Sequence, residues 1–187
     1  AKKRFGTASE VPKKRFGTVV CASHSTLKGE TVNHAISLNT AIIVTGVSKR
    51  TLWRRVSDGQ IARQDNDARG RAMLTLANLV PMLCVPVAPE DFELLCEADA
   101  GDADAQNDLA QLFLDADRPD IALHWLQLAV DQEHPDAMHN LAKLHIKGIG
   151  VPKDETKGLM WLAKAASCGH PIASQQVAAL QSLQKPQ

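Results

Sequence analysis

The chain has 187 residues with 44% apolar and 22% charged content, enough material for a hydrophobic core, which excludes wholesale disorder. Its 21 Lys and Arg balance 21 Asp and Glu only by cancellation: residues 1–75 hold 14 basic and 5 acidic residues, a net of +9, and residues 76–187 hold 7 and 16, a net of −9. No apolar run approaches the ~20 residues of a bilayer span, and the basic N-terminus lacks the apolar stretch of a secretory signal, so a cytoplasmic setting without a membrane partner is expected.

Residues 1–36 carry Lys-Lys-Arg-Phe-Gly-Thr twice, at 2–7 and 13–18, followed by Ser, Thr, Gly and His without periodicity. A flexible basic arm is expected, either native or an artificial copy of the chain's start. Such an arm would contact phosphates without reading bases; the plainer alternative is a solvated tail.

Residues 37–76 read as two short helices and a hairpin. Leu38, Ala41, Ile42 and Val44 put an apolar stripe on the first helix, Gly46 supplies left-handed backbone for a turn, Ser48 is suited to cap the second helix, and Asp58-Gly59 closes it. In that second helix Leu52 and Val56 join Val47 in a small core, while Arg50, Trp53, Arg54 and Ser57 share another face. Arg side chains on such a face suit bidentate contacts to guanine in a major groove, and Lys49 and Thr51 suit phosphates. Residues 61–75 follow as two strands around Asp65-Asn66-Asp67-Ala68, with Arg63, Arg69 and Arg71 set for backbone or minor-groove contacts.

The run Gly-Val-Ser-Lys-Arg-Thr-Leu-Trp-Arg-Arg-Val-Ser-Asp-Gly at 46–59 resembles the helix-turn-helix of MerR-like and excisionase-like winged-helix DNA-binding domains, over residues 38–75. The resemblance implies that Lys49, Arg50, Thr51, Trp53, Arg54, Arg55, Arg63, Arg69 and Arg71 contact duplex DNA; Trp53 has the alternative of packing on the wing or on another protomer. The long dimerising helix of MerR regulators does not follow, so their effector mechanism does not carry over.

After a linker at 77–88, the chain repeats itself. Asp104-Ala105 through Leu109-Ala110 aligns with Asp136-Ala137 through Leu141-Ala142 and with Ile172-Ala173 through Val177-Ala178. Trp125 aligns with Trp161, and His134-Pro135 with His170-Pro171, both at an offset of 36, whereas Ala105 to Ala137 is 32. The shortfall lies between Ala and Trp, which places a four-residue deletion between the two helices of the first repeat. Paired amphipathic helices of this period stack into a short α-solenoid.

Gly148-x-Gly150-Val151, Asp154, Trp161 and Lys164-Ala-Ala-x-x-Gly169 resemble the SEL-like repeat, a relative of the tetratricopeptide repeat, over residues 102–180. The resemblance implies a protein-interaction scaffold with a concave groove, and residues 89–101 resemble a preceding second helix, giving repeats over 89–180 and a tail at 181–187. The first full repeat lacks the Gly-x-Gly turn, and His145 takes the place that Phe113 holds one repeat earlier. Trp125 and Trp161 are expected in the core.

No nucleophile elbow, phosphate-binding loop, zinc-binding motif or dinucleotide glycine cluster occurs, and the four cysteines are scattered, so neither catalysis, a cofactor, a metal nor a disulfide framework is expected. The expected fold is mainly α, a small winged helix-turn-helix domain plus a short α-solenoid of paired antiparallel helices. The leading expectation is a transcriptional regulator or adaptor that binds duplex DNA through residues 37–76 and a protein through residues 89–180, as a homodimer because one winged helix binds weakly alone. The alternative is an interaction adaptor or antagonist whose acidic repeats bind a basic partner, with the helix-turn-helix structural or covered by the acidic half.

Overall fold

Ser37 sets where the ordered backbone turns from strand to helix. Its φ/ψ are extended and its hydroxyl accepts the Thr40 N–H at 3.3 Å, so it ends β1 (Ala35–Ser37) and caps α1 (Leu38–Thr45). The computed structural model describes residues 34–183; the repeated hexapeptide, Cys21 and His24 lie outside the described residues. Ala35 and Ile36, expected to belong to the arm, form a strand, because Ile36 is fully buried opposite Leu74.

Gly46 takes φ 64° to end α1, and Ser48 caps α2 (Lys49–Ser57) by accepting the Thr51 N–H. The chain then forms β2 (Arg63–Gln64) and β3 (Met73–Thr75). Strand order is β1-β3-β2, antiparallel throughout, with Leu74 facing Ile36 on one side and Arg63 on the other. Leu52, Ile61 and Leu74 close the core beneath α1 and α2.

Residues 77–88, expected as a linker, are part of the packed body. They hold most of α3 (Leu76–Leu79) and a 3-10 turn at Val80–Met82; Leu79, Val85 and Val87 are buried, and the Cys84 N–H donates to the Val44 carbonyl at 2.9 Å. Apolar residues at these positions leave no polar spacer on which two lobes could separate. Residues 34–183 lie in one compact unit whose buried residues run as one cluster from Ile36 to Ala173.

The rest is helical: α4 (Phe92–Ala100), α5 (Ala103–Asp115), α6 (Pro119–Asp131), α7 (Pro135–Lys147), α8 (Glu155–Ser167) and α9 (Pro171–Leu183). The last five have 13 residues each. The α5–α6 connection is residues 116–118 and the α7–α8 connection is 148–154, so the four-residue deletion sits in the loop, as the repeat alignment requires. The longer loop bends at Gly148 and Gly150, both at positive φ, and the shorter one bends at Asp117 with φ 57°. Gly150 also abuts the previous repeat, since a β-carbon there would stand 2.6 Å from Pro119 Cβ. The expected tail begins later than residue 181, because α9 continues through Leu183.

Candidate interaction surfaces

Two lobes meet at a carboxylate. Asp99, on α4, is buried; its Oδ2 accepts the Ser37 N–H at 2.9 Å, and its Oδ1 accepts the Ser37 hydroxyl at 2.6 Å, the Thr40 hydroxyl at 2.5 Å and Arg71 Nη1 at 3.2 Å. Arg71 also donates Nη1 to the Asp99 carbonyl at 2.8 Å and Nε to Asp67 Oδ2 at 2.6 Å. Asp67 feels burial first, which raises its pKa, but hydrogen bonds from the Arg71 N–H and guanidinium outweigh it and hold the carboxyl below its ordinary value.

The nine cations and neighbours expected on a DNA face separate into two sets. Lys49, Arg50 and Arg54 are exposed on α2 and have no acidic partner among the described residues. Arg63 is exposed, lies 5.5 Å over the Trp53 ring and donates to Asn66 Oδ1, so Trp53 packs against the hairpin. The others have local work. The Thr51 hydroxyl meets the Ser48 hydroxyl at 3.0 Å inside the helix cap, and the Arg55 guanidinium packs on the Met82 sulfur. Arg71 departs furthest from expectation, because two carboxylates occupy its guanidinium. Arg69 is exposed, with its guanidinium over Gly101, 3.5 Å from where a β-carbon would lie.

A second device recurs along the repeats. His134 caps α7 by accepting the Ala137 N–H on Nδ1 at 3.2 Å, while its Nε2 meets Asp104 Oδ1 at 2.7 Å. His170 does the same for α9, with Ala173 at 3.0 Å and Asp136 at 3.3 Å. Each His-Pro step therefore caps its own helix and ties it to the first turn of the preceding repeat. Asn140 Nδ2 adds a bond to Asn107 Oδ1 at 3.0 Å. The His139 ring stacks 4.3 Å from His170, and burial first, then the His170 charge, push its pKa down.

Trp125 is in the core as expected, but Trp161 is only half-buried, with the Lys164 ammonium 4.5 Å over its ring. Phe113 is buried, whereas His145 in the matching place keeps a buried Nδ1 with no hydrogen-bond partner among the described residues. Cys84 and Cys96 are half-buried free thiols and Cys168 is an exposed one.

Two surfaces remain open on the repeats. Between α7, α8 and α9 a groove of about 360 Å3 is lined by Ala142, Ile146, Leu159, Leu162, Ala179 and Leu180. Leu159 and Leu180 are exposed there, and Leu183 at its edge is 82% exposed. On the acidic half, Glu90, Glu93, Glu97, Asp108, Asp115 and Asp117 are exposed without a basic partner among the described residues, while Asp120 is held by Arg118 at 2.8 Å. That contact lowers the Asp120 pKa and raises that of Arg118.

Among the described residues no group of three or more His, Cys, Asp or Glu is placed to hold a metal ion, and no helix is long and apolar enough to cross a membrane. The Asp99 clamp and the histidine caps were not foreseen from the sequence. The caps had a signal in the paired offsets of Asp104 with Asp136 and His134 with His170; Asp99 had none, because Ser37 and Thr40 lie about sixty residues away and Arg71 lies 28 away.

The Sel1 repeat family matches residues 103–134 and 135–170. A solved Sel1 repeat protein from Oxalobacter formigenes is 34% identical, covering 46% of this chain and 68% of its own, with a TM-score of 0.42. No curated protein matches the chain.

Proposed function

We propose that this chain, which over residues 103–170 belongs to the Sel1 repeat family, is a protein-interaction adaptor whose repeats hold a basic, amphipathic segment of a partner protein. Sel1 repeats are protein-interaction modules. The observation that carries the reading is the apolar groove between α7, α8 and α9, left open on the last repeat, on a chain whose α4 and α5 carry carboxylates without a basic partner among the described residues. A helix or strand with apolar residues on one face would bury Leu159 and Leu180, and its cations would meet the acidic helices.

The test is quantitative co-purification from the native host with the full chain and with a Leu159→Glu/Leu180→Glu variant. Both side chains are exposed, so the variant keeps its helical circular dichroism. A partner retained by the parent chain and lost by the variant supports the reading. Equal recovery by both chains contradicts it.

One observation favours a second reading. Lys49, Arg50 and Arg54 stand exposed on α2 without an acidic partner among the described residues, on the second helix after a glycine turn, with the Arg63 hairpin beside it. Read as a winged helix-turn-helix, this lobe would dock α2 in a major groove, with a homodimer needed to span two half-sites. Arg71, Arg55 and Thr51 would serve its fold and not the DNA. Duplex binding by the full chain across a salt series decides it: binding that falls with salt and weakens in Arg50→Ala/Arg54→Ala supports the reading, and salt-independent or absent binding removes it.

A further inference from the structure

We infer that one exposed stripe of α9 is a self-association surface, covered by the α9 of a second copy of this chain that runs antiparallel to it. The pairing rests on the adaptor reading for one consequence. Gln176, Ala179 and Leu183 of the stripe also line the α7–α9 groove, so the second copy and the partner segment exclude one another there, and the groove stays covered until a partner displaces the copy.

Ile172, Gln176, Ala179 and Leu183 recur at steps of four, three and four, which sets them in one line along the helix. All four are exposed, Ile172 at 53% and Leu183 at 82%. The other repeats show that the architecture does not ask for apolar residues in that line. Its matching positions are Asp136, Asn140, Lys143 and Lys147 on α7, and Asp104, Asp108, Gln111 and Asp115 on α5. Every charged residue among them is exposed although another repeat helix follows, so a further repeat packed in the same way would leave Ile172 and Leu183 uncovered too. A line that is solvated and charged on two helices and apolar on the third marks a contact surface.

Two properties of α9 fit it to its own copy. Steps of four, three and four read the same from either end, so an antiparallel pair sets Ile172 against Leu183 of the second copy and Gln176 against Ala179 of the second copy, and each contact occurs twice. A single polar residue in such a seam fixes its register, and the small Ala179 opposite leaves the Gln176 amide room to reach water. The helix also carries no Asp, Glu, Lys or Arg from Pro171 to Leu183, so two copies of it meet without like-charge repulsion. A helix of 13 residues is about 20 Å long, and a pair of them buries less than the ~1,600 Å2 of a standard interface. A reversible dimer in the micromolar range follows, weak enough to yield to a partner.

Sedimentation equilibrium of the full chain over about 1 to 100 µM tests the pairing. The parent chain is expected to rise from monomer toward dimer. Ile172→Glu and Leu183→Lys, both at exposed positions and with helical circular dichroism unchanged, each self-associate at least about tenfold more weakly, because each pair would bury a charge against an apolar side chain. Mixed in equal amounts the two variants associate again, since antiparallel pairing sets the introduced carboxylate against the introduced ammonium. A parent chain that stays monomeric throughout, a dimer that Ile172→Glu leaves intact, or a mixture that associates no better than its parts overturns the surface. Ile172 does not line the groove and Leu159 does not belong to the stripe. Ile172→Glu therefore loses the dimer and keeps the captured partner, whereas Leu159→Glu keeps the dimer and loses the partner, so a failed stripe and a failed groove are told apart.

Discussion

Asp99 concentrates more hydrogen bonds than any other side chain at the junction, and it does so by accepting from groups that have nowhere else to go. Ser37 and Thr40 are buried, so removing their acceptor leaves donors desolvated and unpaired. Asp99→Ala is expected to lower unfolding free energy by about 3 kcal/mol in urea titration, and a loss below about 1 kcal/mol would show that apolar packing alone holds the junction. Gly158 illustrates the opposite constraint. It is buried in α8 with normal helical backbone, but a β-carbon there would overlap Ile146 Cγ1 and press on the Ala142 carbonyl. Gly158→Ala trades about 1 kcal/mol of helix propensity against overpacking, and a net loss of about 1–2 kcal/mol is expected; a stabilised variant would mean that α7 and α8 separate freely. Neither role could be read from the sequence. A lone Asp in an acidic run and a Gly in an amphipathic pattern carry no mark of the side chain that tertiary packing brings to them, whereas Gly46 and Ser48 act on their own neighbours and were legible.

The elements themselves follow local chemistry. Of the five helices of equal length, α5 to α8 each begin at a capping residue or proline and end within two residues of a positive-φ position, and α9 begins at Pro171. The repeat pattern, the shortened first loop and the half-repeat helix over 92–100 were all visible in spacing. The strand at residues 35–37 was not, because three residues carry no periodicity and their register comes from Ile36 meeting Leu74. His139, stacked on the His170 ring, makes the α7–α9 boundary sensitive to acid. Burial depresses the His139 pKa, so the folded chain binds this proton less readily than the unfolded chain; its contribution is full above the unfolded value of about 6.5 and is lost as pH falls toward the folded one. Melting temperature is therefore expected to fall between about pH 7.5 and 5.5, with a shallower decline in His139→Gln. A flat profile in the parent chain would contradict this.

At the scale of the molecule, among the described residues one ion pair, Arg71 with Asp99, joins the basic half to the acidic half, while Lys49, Arg50 and Arg54 on α2 and six carboxylates of the 90–117 run are exposed without an oppositely charged partner. Residues 77–88 are core, so the exposed cations of α2 and the carboxylates of the 90–117 run are held on one body. The interaction half of the reading was legible because repeats announce themselves in sequence; the groove was not, since it depends on which apolar residues of α8 and α9 find no neighbour. Cross-linking mass spectrometry in the native host tests the central claim most directly, because Lys143 lines the groove. The account predicts cross-links from this lysine to another protein, lost in Leu159→Glu/Leu180→Glu; cross-links that persist unchanged in that variant, or none from the repeats at all, would contradict it.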